Sequence, residues 1–230
     1  MQNKYFGDIH DFFKFYFLKN ISINHKLGIN WYLVPDDGSN DGKKIVMKRP
    51  KLIEVDETLY KILENSILTD NRNILNIQKM YFNINTKYFN DIYEEYYLEG
   101  VYEGKALNCL NSQNLIFFDP DTGLEVESTK TKERYKYVSY RMLSEWWKQG
   151  KSLIIFQYKD FNKYSCKDKC SKIVTALNCS YNNIIIVKIE DIFYYCIIND
   201  NHKTLYDSIN NFCINNKNIG YEIITSAHFA

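Results

Sequence analysis

The chain lacks any apolar run near the roughly 20 residues that would cross a bilayer; its apolar runs, such as Ile184 to Val187, fall far short. Its first ten residues, MQNKYFGDIH, lack the basic stretch followed by an apolar one that marks an export signal. A soluble, cytoplasmic protein is the expectation. Excess charge is missing too: 29 Lys and Arg against 28 Asp and Glu leave a formal +1, which removes any global argument for a polyanionic partner. Cys166 and Cys170, with Cys179 nearby, have no histidine close enough in sequence to complete a zinc set, so no metal is expected there. Without an export signal the six cysteines are expected as reduced thiols. His10, His25, His202 and His228 are scattered, and no metalloprotease helix, Ser/His/Asp set or Cys/His set can be read. There is no internal repeat or Pro/Gly-rich linker, so 230 residues with 45% hydrophobic content fit one domain spanning 1–230 with a sizeable core.

What is present is an alternation of helix and strand patterns. Ile9, Phe12, Phe13, Tyr16 and Phe17 mark one face of a first helix with Asp8 as its N-cap. The stretch LGINWYLV then reads as a buried strand ended by Pro35 and Gly38. Asp56 caps a second helix through Leu59, Ile62, Leu63 and Ile67, and the residues around Met80 to Ile84 fit helix or strand equally. A long helix is expected from about Tyr88 to Leu110, with Gly100 and Gly104 as potential breaks. Strand, helix and strand follow at Asn114–Phe118, SYRMLSEWWKQG and KSLIIFQY, then helix DKCSKIVTALN, strands NIIIVKI and IFYYCII, helix KTLYDSINNFC and strand YEIIT. This order predicts an α/β fold with helices on both faces of a mostly parallel sheet and some antiparallel pairing near the C-terminus.

Two loops leave the C-terminal ends of predicted strands, where open α/β sheets bind ligands. Pro35 to Lys44, PDDGSNDGKK, lacks both the glycine fingerprint of dinucleotide sites and the ending of a phosphate loop, but Gly38 and Gly42 allow close backbone approach. Leu115 to Val126, LIFFDPDTGLEV, runs a buried strand into Asp119, Pro120 and Asp121. Carbonyls at such a strand end can accept from an exocyclic amine. Alternatively Asp119, Asp121 and Glu125 can hold Mg2+ for phosphoryl chemistry, since that ion prefers hard oxygen ligands. The third reading is an Asx-type turn that merely caps the next segment. Lys130 to Tyr137, KTKERYKY, interleaves basic and aromatic residues, as a loop gripping nucleic acid does and as a solvated surface loop also does.

Several segments resemble, in the same order, the bacterial large-subunit ribosomal RNA adenine-N6 methyltransferases. In FGDIHDFFKFYFLKNI, Gly7, Asp11 and Lys14 match that family's Gly-Asn-x-x-Asp-x-x-Lys-His helix, with Asp8 in place of Asn and Phe15 in place of His. INWYLVPDDGSNDGKK resembles its first strand and glycine loop, and IFFDPDTGLEV its Asp-Pro-Pro-Tyr segment, with Asp121 replacing the second Pro and Thr122 the aromatic that stacks on the base. The resemblance implies a Rossmann-like class I methyltransferase-like three-layer sandwich. It further implies that Asp36, Asp37, Gly38 and Gly42 line S-adenosylmethionine and that Gly7, Asp11 and Lys14 close over it. Asp119 and Pro120 would then position a substrate amine, with Asp121 adding charge recognition, on a nucleic-acid base. The Asp-Pro-Asp-x-Gly-Leu-Glu pattern also looks like that of bacterial and phage proteins of unassigned activity. Asp119, Asp121 and Glu125 are similar, too, to the metal motif of Toprim nucleases and topoisomerases, and the acids to those of haloacid-dehalogenase-like phosphatases. A Mg2+-dependent nuclease or phosphoesterase, or a silent nucleotide-binding module, are the alternatives.

Overall fold

A computed structural model describes residues 2–36, 38, 44–93, 99–129, 131–158 and 163–224. The strands are β1 (Leu27–Asn30), β2 (Lys87–Phe89), β3 (Leu115–Phe118), β4 (Gly123–Leu124), β5 (Tyr137–Val138), β6 (Ser152–Tyr158), β7 (Ile184–Ile189), β8 (Ile192–Ile197) and β9 (Glu222–Ile224). The helices are α1 (Ile9–Ile21), α2 (Glu57–Leu68), α3 (Leu75–Met80), α4 (Glu99–Leu110), α5 (Tyr140–Lys148), α6 (Lys163–Leu177) and α7 (Lys203–Asn215).

Seven strands form one sheet in the order β2-β1-β3-β6-β8-β7-β9, while β4 and β5 pair separately in parallel. From β2 to β6 neighbours are parallel, β8 is antiparallel to both β6 and β7, and β9 is antiparallel to β7. Five strands therefore share one direction and only β8 and β9 oppose it, the mixed but mostly parallel sheet that the helix and strand order predicts.

Period-2 alternation divides the core in two. Leu27, Ile29, Leu115, Phe117, Ile154, Phe156, Val187 and Tyr194 face one side, packed with α1, α2, α3 and α7 through Phe12, Phe17, Leu63, Ile77 and Ile209. Ile116, Phe118, Leu153, Ile155, Ile186 and Tyr195 face the other, packed with α4, α5 and α6 through Tyr102, Trp146 and Ile173. Helices cover both faces, which is why the central strands read as continuous rather than alternating apolar runs. Among the described residues no helix is long and apolar enough to cross a membrane.

Asp56 starts α2 by accepting from Leu59 N at 2.9 Å, and Ser139 starts α5 by accepting from Met142 N at 3.2 Å. The helix expected from Tyr88 is corrected: Lys87–Phe89 is the edge strand of the sheet and the described helix begins at Glu99, running through both Gly100 and Gly104. Three residues are too few for periodicity to register. The first strand also ends sooner than expected. Tyr32 takes φ 47° and breaks the ladder, after which Leu33 makes a single parallel bridge to Ile92. Of the ambiguous stretch, Leu75–Met80 is helix and residues 81–85 are turn and bend rather than strand, and the loop after Val126 contains a 3-10 turn at Thr131–Lys136 followed by β5.

None of the six cysteines forms a disulfide, and Cys166 and Cys170, both on α6, are buried in the second core. At the N-terminal ends of the strands, Ser152 accepts from Asn199 N and its hydroxyl lies 2.9 Å from His202 Nδ1, with the His25 ring 6.0 Å from that of His202. Burial lowers both imidazoles below the ordinary 6.5, helped at His25 by His202 and at His202 by Lys151. A depressed imidazole favours the folded state in its neutral form, so its contribution is intact above about pH 6.5 and falls as pH drops through that value. NMR titration of the ring protons should therefore give midpoints below 6.5 for both histidines; a midpoint at or above 6.5 for either contradicts the packing described.

Candidate functional site at the switch point

From β1 the chain passes through α2 and α3 on one face to reach β2, and from β2 it passes through α4 on the other face to reach β3. Leaving β3, the chain passes through α5 on that second face to reach β6, so adjacent β1 and β3 send their connections to opposite faces, which opens a crevice at their C-terminal ends. Register fixes what stands there: Asn30 pairs with Phe118, and Asp119 N donates to Asn30 O at 3.0 Å.

Alternation turns Asp119 toward the face carrying α1, and α1 meets it with a cation. Lys14 Nζ lies 2.7 Å from Asp119 Oδ2 and 2.7 Å from Asp11 Oδ1, one turn back on the same helix. The three side chains are 4% exposed or less. Burial opposes charge on Lys14, yet Asp11 and Asp119 outweigh it and raise the ammonium above its ordinary range. Burial raises the Asp11 carboxyl against the pull of Lys14. Asp11 Oδ2 also accepts from Gly7 N at 3.1 Å, so the turn entering α1 is tied to the same cluster. Gly7 sits at φ +97°, and a Cβ there would meet Ile67 at 2.9 Å. Asp8 takes the N-cap position but makes no side-chain cap bond; its carboxylate instead pairs with Arg72 at 2.7 Å, whose Nε donates to Phe6 O. Burial first, then Asp11, pushes Asp8 up to about 6 against Arg72.

Residues 2–8 strap across this edge. Gln2 Nε2 donates to Asp121 Oδ2 at 3.3 Å, Lys4 pairs with Asp36 at 2.9 Å, and Val46 N donates to Gly7 O. The strap therefore brings the two loops picked out in the sequence, after β1 and after β3, to one rim. Asp36 is exposed and accepts from Gly38 N, an Asx turn with open space around Gly38. Asp37, Asp41, Gly42 and Lys130 lie outside the described residues.

Beyond Asp121 the motif is framework. Pro120 is buried, Thr122 exchanges backbone bonds with Lys136 and Tyr158, and Gly123 and Leu124 pair with β5. Gly123 has φ +138°, and a Cβ on it would come within 2.2 Å of Gln157 Oε1. Gln157 is held by Leu124 N and by the carbonyls of Thr122 and Tyr158. Glu125 turns away from the aspartates to accept from Tyr140 N at 2.7 Å, at the start of α5. Among the described residues no group of three or more His, Cys, Asp or Glu is arranged to hold a metal ion.

Two participants carried little signal in the sequence. Asn30 ends β1 fully buried, its Oδ1 accepting from Tyr32 N and from Tyr102 Oη while Nδ2 has no partner. A polar residue closing an apolar strand was the one visible hint. Arg72 sits in unremarkable surroundings in the chain and is recruited only by the fold.

No family model matches the chain, and neither does any curated protein or solved structure.

Two substitutions test this arrangement. Lys14→Met leaves Asp11 and Asp119 buried without their cation and should cost about 3–5 kcal/mol in urea unfolding; a loss under about 1 kcal/mol would show that the pairing is not buried as described. Gly123→Ala should lower stability by at least about 2 kcal/mol, because the backbone is strained for any Cβ and Gln157 is pinned. An unchanged melting temperature contradicts the contact.

Proposed function

We propose that the chain is an S-adenosylmethionine-dependent methyltransferase of Rossmann-like, class I methyltransferase-like architecture, acting on an amine of a nucleic-acid base. The observation that carries this reading is the meeting of Gly7, Asp11, Lys14 and Asp119 at the switch point. These residues come from two segments, α1 with its entry turn and the end of β3, that resemble separate motifs of one methyltransferase family, and the fold packs them into a single cluster. The mixed, mostly parallel sheet with its reversed strands on the C-terminal side supports the same reading.

In this account the methyl donor occupies the rim formed by the loop after β1, with Asp36 and Gly38 on its outer side. Asp119 and the backbone of Pro120 face the acceptor amine. A carboxylate paired with Lys14 can orient an N–H and draw density toward nitrogen, which leaves the lone pair directed at the methyl carbon. Thr122 contributes backbone to the motif's framework, so the stacking surface for a base must come from elsewhere. Tyr135, half-buried in the basic loop whose Lys136 O accepts from Thr122 N, is an aromatic available on that loop. Exposed Arg134 on the same loop gives phosphate a contact.

Titration calorimetry with S-adenosylmethionine is the direct test. One-to-one binding that weakens about tenfold or more in Asp119→Ala, the scale of one charge-assisted hydrogen bond, is the expected result. Absence of binding by folded protein sinks the proposal.

A further inference from the structure

The sheet ends at β2, whose outer edge offers more extended chain than its three ladder residues. Gly28 to Asn30 pair with Lys87 to Phe89, and past the break at Tyr32 the bridge of Leu33 to Ile92 keeps the same offset. Residues 87–92 therefore run alongside the first strand. Phe89 O accepts from Trp31 N at 3.5 Å, and Tyr93 N donates to Leu33 O at 2.6 Å. Main-chain groups alternate in direction along an extended chain, so those of Tyr88 and Asn90 point away from the sheet. Tyr88 O takes a weak bond from Cys109 Sγ at 3.5 Å. Such an edge is a template for a further strand. Exposed apolar side chains gather beside it: Met80 and Ile84 precede the strand, Ile92 follows it, and Val101 lies on α4, which packs on β2. Charge on this edge is symmetric. Side chains at 87, 89 and 91 share the α4 face, where Phe89 meets Tyr102 at 5.2 Å, Asp91 pairs with Lys105 at 3.3 Å, and Lys87 and Asp91 both act on Cys109. Lys87 and Asp91 are exposed, opposite in sign and equally spaced about Phe89.

We propose that the β2 edge is an interface between two copies of this chain, paired antiparallel about a two-fold axis at Phe89 so that their sheets join into one. Turned end to end about Phe89, the segment is complementary to itself. Lys87 of each copy meets Asp91 of the other on the same face of the joined sheet, and each contact occurs twice, as two-fold symmetry requires. The hydrogen bonding agrees with this register. Phe89, whose main chain is engaged with β1, falls at a position where an antiparallel pair makes no bonds, while Tyr88 and Asn90, whose groups point outward, fall at one where both residues exchange them. None of the residues assigned to methyl transfer takes part, so the interface stands or falls apart from that reading.

Sedimentation velocity of the full chain, from about 1 to 200 µM, reads the association directly, and a dimer that grows in with concentration is expected. Lys87→Asp or Asp91→Lys alone sets like charges opposite each other twice in the interface and should raise the dimer Kd about tenfold or more. The two changes together restore opposite charges and should return the Kd to within about threefold of the parent. Asn90→Pro removes an outward N–H without touching the ladder to β1 and should abolish the dimer. Thermal melts of each variant that match the parent separate loss of pairing from loss of fold. A chain that stays monomeric at about 200 µM, a dimer whose Kd the single reversals leave unchanged, or one that the double reversal fails to restore overturns the proposal.

Discussion

Lys14 joins the first helix to the end of the third strand through a buried ammonium shared by Asp11 and Asp119, and the candidate site depends on that contact. Without it, two carboxylates face each other under a layer of aromatic side chains with no solvent to screen them. With it, α1 is held in one rotation about its axis, since Asp11 and Lys14 sit one turn apart and both must reach the same point. That rotation sends Phe12 and Phe17 into the core beneath α2 and α7 and leaves Gly7, bonded to Asp11, as the bend by which residues 2–8 return across the strand ends. The cluster thus ties helix, strand and strap at one point, a role for which a buried charge can be retained in place of a better-packed apolar group.

The Asp-Pro-Asp-Thr-Gly-Leu-Glu segment divides its labour by position. Its first residue serves the cluster, its third meets the N-terminal strap through Gln2, and Thr122 to Glu125 build a short parallel pairing with β5 and initiate α5. A motif composed of turn-forming residues therefore has two roles: a turn with capping bonds, and a strand end whose Asp119 meets Lys14. Glu125 is the residue whose placement separates them most clearly. Its carboxylate is engaged at a helix N-terminus, where a backbone donor and the helix dipole both favour negative charge.

Much of the fold could be read from the chain because local and long-range preferences agree. Continuous apolar strands, capped amphipathic helices and their alternation specify a covered, mostly parallel sheet. The misreading at Tyr88 arose where this agreement fails: β2 is a three-residue edge strand flanked by polar and acidic residues, and only its pairing with β1 defines it. Asp119 and Lys14 were legible as candidates, yet their direct contact spans 105 positions, and no spacing rule reaches that far.

The coupling between α1 and β3 can be measured apart from any ligand. A double-mutant cycle of Lys14→Met and Asp119→Asn, followed by urea unfolding, compares the loss from each change with the loss from both. A buried shared ion pair predicts that the two losses are not additive, with a coupling of about 1–3 kcal/mol. Additivity within about 0.5 kcal/mol would contradict the contact on which the site is built.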